Sequence, residues 1–294
     1  MPGVVIETLK RFLYNSSMKH KEPKKKFLLT AQKRPVIDKK KPGALLYVPP
    51  RILYDYGQKI VVMWSAKAGC TFLCKWFFAQ MNLLDAALYY HPWVHLFRQE
   101  VYYRSEGYIK NLHGVLNGDF TVIKIVRNPF ARAVSSYFTA LYQIVNKEES
   151  IAHGKVKKSL EKFFKRPLSA NETLSFREFV DYLAYIDTLD CDVHYRQQLH
   201  PLEIEAVLTP SYIIKLEDSE DALKRLETQL NLKTTDLNRL KQSPHHTKRE
   251  AHTEFCGDVK FKWTPNFKFP THLSFYDDDL IRKVADVYKM DFNA

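Results

Sequence analysis

The chain is poor in the residues that would place it in several large protein classes. Cysteine occurs four times in 294 residues, at positions 70, 74, 191 and 256. That is too few for a disulfide scaffold, and no second close pair completes a zinc site, so all four read as free thiols. No run of 18 or more apolar residues occurs, which leaves no candidate membrane span. The stretch from Met1 to Phe12 holds too little apolar sequence for a signal peptide. The nucleotide-triphosphate loop G-x-x-x-x-G-K-[ST] is absent as well. What remains is a globular composition, long enough to bury one large core or two small ones.

Acidic residues are scarce at one end. Residues 1–60 carry 14 Lys and Arg against 4 Asp and Glu, a surplus of +10 in a chain whose total is +12. The runs Lys24-Lys25-Lys26 and Lys39-Lys40-Lys41, interspersed with prolines, predict an extended or partly disordered basic arm over 1–57 and a folded domain over 58–294. Such an arm serves either as a solubilising tail or as an attractor for an anionic surface. It lacks interleaved aromatics and any recognition motif, so no specific nucleic-acid binding is expected.

The richest signal lies just beyond the arm. Lys59-Ile60-Val61-Val62-Met63-Trp64 reads as a buried strand, and Phe72 to Met81, free of Gly and Pro, reads as a helix. Between them stands Lys67-Ala68-Gly69-Cys70-Thr71. A strand, a tight glycine turn and a helix together present free backbone N–H groups to an anion, and the lysine adds positive charge. A second unit repeats the logic. The β-branched run Phe120 to Val126 leads into Arg127-Asn128-Pro129, with Pro129 suited to a first helical turn. Arg127 leaves the strand and Ser135 follows two helical turns later; a guanidinium fork and a hydroxyl suit a second phosphate.

These two motifs resemble those of the sulfotransferases that use 3′-phosphoadenosine 5′-phosphosulfate (PAPS). There the first loop reads K-x-G-[CT]-[ST] and the second R-[ND]-P-x-x-R-x-x-S-x-Y. Cys70 and the Pro129-Phe130 pair look most like the carbohydrate branch, sulfotransferase family 2. Softer similarity continues through Leu174 to Leu183, His194-Tyr195-Arg196-Gln197-Gln198 (without the branch's Pro), Tyr212 to Asp218, and Val287 to Phe292. The resemblance covers roughly residues 58–292. It implies an α/β fold, a P-loop-NTPase-like central parallel sheet flanked by helices. It implies sulfuryl transfer from PAPS to a carbohydrate or glycolipid hydroxyl, without a metal. Golgi members carry a membrane anchor, so a chain without one is expected in the cytoplasm.

Site roles follow by matching residues. Lys67 is expected to stabilise the leaving phosphate. The N–H groups of Ala68, Gly69, Cys70, Thr71 and Phe72, with the Thr71 hydroxyl, would hold the 5′-phosphate. Arg127 and Ser135 would clamp the 3′-phosphate, with Lys248 or Arg249 closing over it from a late basic loop unless that loop is merely solvated. The family's general base lies between the two motifs, where His95, His91 and His113 fall, in that order of preference, with Glu100 or Glu106 as substitutes. His91 and His95 sit in a segment that reads as extended, before a weakly helical stretch over 98–117. Arg98 and Arg104 either meet an acidic acceptor or form a solvated helix face. The exposed or core role of Tyr89, Tyr90, Trp93, Tyr102 and Tyr103 is open. Residues 147–170 read as basic and loop-like or loosely helical, a candidate substrate lid. Strands are expected near 59–64, 120–126 and 211–216, and helices near 71–83, 130–145 and 218–230. Two rivals remain: an ATP-dependent kinase of related fold, and a relative that binds nucleotide or glycan without turnover.

Overall fold

In the computed structural model, described residues are 42–145, 153–169, 173–242, 249–250, 254–262 and 268–293. In chain order these form α1 (Pro42–Leu45), β1 (Leu53–Asp55), β2 (Ile60–Met63), α2 (Cys70–Gln80), α3 (Leu84–Tyr90), α4 (Val94–Glu100), α5 (Glu106–Asn111), β3 (Thr121–Val126), α6 (Pro129–Val145) and α7 (His153–Phe164). There follow α8 (Phe176–Tyr185), α9 (Pro201–Ile204), β4 (Tyr212–Lys215), α10 (Ser219–Gln229), α11 (Leu237–Lys241), β5 (Arg249–Glu250), β6 (Phe269–Pro270), α12 (Asp278–Val287) and α13 (Lys289–Asn293).

Four strands make one sheet in the order β1-β2-β3-β4. β2, β3 and β4 run parallel, and β1 lies antiparallel on the edge of β2. β2 is buried at every position, as a strand covered on both faces must be. β3 is buried from Val122 to Ile125, and that stretch includes Lys124 at 3% exposure. Its ammonium is tolerated there because both carboxylate oxygens of Glu203 on α9 meet it, at 2.6 and 2.7 Å. One apolar cluster surrounds the sheet with α2, α3 and α4; a second joins α6, α8 and α12.

Local chemistry sets the helix starts. Asn128 caps α6, its Oδ1 accepting from the N–H groups of Phe130 (2.9 Å) and Ala131 (3.2 Å), with Pro129 in the first position. Ser175 and Glu178 form a reciprocal capping box that opens α8. In α2, Trp76, Phe77 and Phe78 are fully buried, contributing about 1.5–3 kcal/mol each. That burial anchors the helix whose first turn forms part of the site.

The parallel strands and their helices fall where the sequence pattern puts them, with ends shifted by a few residues. Of the alternatives for the basic stretch over 147–170, the described part takes the helical one, in α7. Two readings change. The segment around His95 is helical, not extended: α4 begins directly after Pro92-Trp93. Residues 42–57, assigned to the arm by charge, are part of the packed structure: Leu45, Leu46, Ile52 and Leu53 are buried and β1 completes the sheet.

Candidate active site

The carboxyl ends of β2, β3 and β4 lie side by side, the customary place for a ligand in a parallel sheet. The turn after β2 is built around two left-handed residues, Lys67 (φ 66°) and Gly69 (φ 77°). Glycine is required at 69 twice over. Its φ is one that other residues adopt at a cost, and an added Cβ would lie 2.4 Å from Cδ1 of Leu216, just beyond β4. Ala68 N–H donates to the Ser65 carbonyl at 3.3 Å, so it belongs to the turn and is not available to an anion as the sequence reading supposed. Gly69 is the N-cap of α2 and supplies no capping side chain. The first-turn amides of Cys70, Thr71 and Phe72 therefore open α2 without a side-chain acceptor.

The second motif holds the first in shape. Arg127 Nη1 donates to the Lys67 carbonyl at 3.0 Å, and Arg132 Nε to the Ala66 carbonyl at 3.0 Å. Two arginines of one motif thus grip successive carbonyls of the other. Arg132 is 1% exposed, and its Nη2 also donates to the Arg196 carbonyl at 2.6 Å. Arg127 is fixed through its own backbone by Gln198, whose side chain accepts from Arg127 N–H (2.8 Å) and donates to Arg127 C=O (2.9 Å). Gln198 is in turn fixed by Asp291, whose Oδ1 accepts its N–H at 2.6 Å. Burial raises the Asp291 carboxyl above its ordinary value. Ser135 is half-buried on α6, whereas neighbouring Ser136 turns inward and donates to the His194 carbonyl at 2.6 Å.

The candidate bases separate cleanly. His95 is buried beside the first turn of α2: its Nε2 lies 2.9 Å from Thr71 Oγ1 and 3.7 Å from Cys70 Sγ. His91 is half-buried and its Nδ1 accepts from the Trp93 N–H at 2.9 Å. His113 is exposed and contacts Tyr47 Oη, away from the turn. Glu106 pairs with Lys110, and Glu100 hydrogen-bonds Tyr90. Arg98 is no solvated helix residue: it is 6% exposed, with its guanidinium 4.2 Å over the Trp64 ring. Arg104 is exposed. Tyr89, Tyr90 and Trp93 are exposed, and Tyr102 is core. Lys248 lies outside the described residues, and only the backbone of Arg249 is described, in β5.

All four cysteines are free. Burial pushes the Cys74 and Cys191 thiols up to about 12. Among the described residues no group of three or more His, Cys, Asp and Glu is placed to hold a metal ion. No helix among them is long and apolar enough to cross a membrane.

Sequence reasoning missed Arg132, Gln198 and Asp291 as supports of the site. Arg132 was visible as part of the second motif, and Gln198 as the end of the His194 segment, but neither carries a pattern that reveals its hydrogen bonds. A family model described as Sulfotransferase family matches residues 67–294. No curated protein and no solved structure matches the chain.

Proposed function

Because the chain belongs to the sulfotransferase family, in its family 2 branch, we propose that it transfers the sulfuryl group of PAPS to a hydroxyl of a carbohydrate or glycolipid. The observation that carries this reading is the joint between the two anion motifs. Arg127, at the end of β3, bonds the carbonyl of Lys67, at the end of β2. Two phosphate-binding elements on neighbouring parallel strands suit a nucleotide with two separated phosphates, which ATP is not.

The residues present fit that nucleotide. The uncapped amides of Cys70, Thr71 and Phe72, with the Thr71 hydroxyl and Lys67, would hold the 5′ end, and Arg127 with Ser135 the 3′-phosphate. When bound, PAPS supplies the activated sulfuryl group. Lys67, on the same turn, would supply positive charge to the leaving oxygen as negative charge grows there, the kind of stabilisation that dominates related transfers. His95 is the base this geometry favours. It sits against Thr71 and Cys70, so its Nε2 is at the turn that would hold the reacting end, ready to take the acceptor's proton. His91 is the second choice, four residues earlier in the chain and less buried.

The test is thermal stability with adenosine 3′,5′-bisphosphate, with ATP and with neither, on the wild type and on Arg127→Ala. At a hundredfold excess over Kd, selective binding stabilises by about 2.7 kcal/mol. For a domain of this size that raises Tm by about 5–10 °C. The bisphosphate should give that shift, ATP should not, and Arg127→Ala should abolish it. An equal shift with ATP, or none with the bisphosphate, would overturn the reading.

A further inference from the structure

Arg98 is a buried charge with no place so far in the chemistry of the anion turn. It is 6% exposed, and its Nε and Nη1 are enclosed without a hydrogen-bond partner among the described residues. Other buried cations are better served: Lys124 has the Glu203 carboxylate, and Arg132 has the carbonyls of Ala66 and Arg196. Around Arg98 stand the Trp64 ring, 4.2 Å from the guanidinium carbon, the Tyr103 ring at 5.7 Å, and the Cys74 thiol. Burial pushes that thiol up to about 12, so it stays neutral and leaves the charge uncompensated. An arginine cannot shed its proton to escape burial. A buried cation without a counter-ion is costly, and such exceptions concentrate at functional sites.

The fold puts this charge beside the candidate base. His95 and Arg98 are three residues apart on α4, which sets their Cβ atoms about 5–6 Å from one another on one side of the helix. Both side chains face α2. His95 meets Cys70 and Thr71, and Arg98 meets Cys74, one turn further along. Trp64 bridges the two: its ring is stacked on the imidazole with centroids 6.4 Å apart, and the guanidinium lies over it. The other titratable or charged groups on the elements packed around the imidazole are Lys67 and Cys70 at the turn, Tyr90 on α3, His91 ahead of α4, Glu100 at its end and Tyr103 beyond it. Glu100 hydrogen-bonds Tyr90, and the Tyr103 hydroxyl donates to the Arg51 carbonyl. Lys67 carries the same sign of charge as Arg98.

We propose that Arg98 is a positioning residue for the transfer: its fixed charge holds the His95 imidazole neutral, and so able to take the acceptor's proton, at and below neutral pH. A nearby cation disfavours imidazolium, and a unit charge about 6–10 Å away at an effective dielectric of about 20 moves a pKa by about 1–2 units. Burial of His95 acts in the same direction. A histidine at its ordinary value would be half protonated near pH 6.5 and half lost as a base. The proposal rests on the sulfotransferase reading and on His95 as its base.

The experiment is an NMR titration of the whole chain carrying carbon-13 at histidine Cε1, with His95→Gln to assign the resonance. Wild type, Arg98→Met and Arg98→Lys are compared, and the bisphosphate melting shift is recorded on each. Methionine keeps the burial and removes the charge; lysine keeps the charge. His95 in the wild type should titrate about one unit or more below the ordinary histidine value, Arg98→Met should raise it by about one unit, and Arg98→Lys should move it by less than about 0.3 unit. Arg98→Gln is a second neutral variant should the methionine protein fail to fold, and the wild-type titration stands without either. The proposal is overturned if wild-type His95 titrates at or above the ordinary value, if the neutral variants move it by less than about 0.3 unit or downward, or if lysine moves it as far as methionine. A merely structural Arg98 would lower Tm in every variant and leave the titration in place. Failure of the sulfotransferase reading has a different signature, the absence of any bisphosphate shift in the wild type.

Discussion

Gly69→Ala tests the fold and the site with one methyl group. The backbone at Gly69 has φ 77°, and placing a side chain in that region costs about 1–2 kcal/mol. The new Cβ would sit 2.4 Å from Leu216 Cδ1, and 3.3 and 3.4 Å from Cδ2 and Cγ. Leu216 is half-buried and packs against the sheet cluster, so it can turn away, but only by giving up contacts; overpacking of this kind costs about 1–3 kcal/mol. The sum is about 2–5 kcal/mol, or a Tm lowered by about 4–20 °C at about 2–4 °C per kcal/mol. The clash and the backbone strain separate in a double-mutant cycle with Leu216→Ala. Removing the leucine should return about 1–2 kcal/mol of the Gly69→Ala loss, while the strain remains. Urea unfolding of the four proteins, read alongside bisphosphate binding, measures both. A Gly69→Ala variant that melts within 1 °C of wild type would refute the reasoning, as would a cycle with no coupling.

Other consequences are testable. Lys124→Met should destabilise by about 3–5 kcal/mol in urea, because it leaves the Glu203 carboxylate nearly buried without its cation. Lys124→Met/Glu203→Gln should recover more than half of that; a single variant losing under 1 kcal/mol contradicts the account. His200 is buried with Nε2 donating to the Pro50 carbonyl and Nδ1 accepting from Leu202 N–H, and burial lowers its pKa to about 4. The unfolded chain takes up this proton near pH 6.5, before the folded one does. Stability from this group is therefore full above pH 6.5, falls as pH drops, and is about 2 kcal/mol lower at pH 5. In His200→Asn, which keeps a capping side chain, that part of the pH dependence should vanish; parallel pH profiles for the two proteins would count against it. Cys70 should be alkylated ahead of the other three cysteines, since Cys74 and Cys256 are buried and the Cys74 and Cys191 thiols are pushed up to about 12. Peptide mapping should show bisphosphate slowing that reaction; preferential labelling of Cys191 would argue otherwise.

The legible parts of this chain are those written in contiguous pattern. β2 and β3 are short apolar runs, and Asn128-Pro129 announces the start of α6 through chemistry that acts within three residues. The turn at Lys67–Thr71 is equally local. The support of that turn is not. Gln198 acts on Arg127 across 71 residues of chain, and Asp291 on Gln198 across 93, through single polar side chains that leave no periodicity. Arg132 reads as one more basic residue until its burial is seen. Around His95, Pro92 masked a helix that begins immediately behind it. Over residues 42–57 the count of lysines outweighed a quieter signal, the apolar pairs Leu45-Leu46 and Ile52-Leu53, which prove to be core.

The position of β1 and β2 has a practical side. The family match starts at Lys67, inside the turn, after both strands have passed. The segment that can be recognised is therefore shorter than the segment that can fold. A gene fragment cut at the edge of recognition would delete β2, the inner strand that β1 and β3 flank, together with Trp64, whose indole N–H is held by the Arg51 carbonyl at 2.8 Å. Such a fragment should emerge insoluble, and its silence in an activity screen would say nothing about catalysis. Expression should begin no later than Pro42, where the described packing begins.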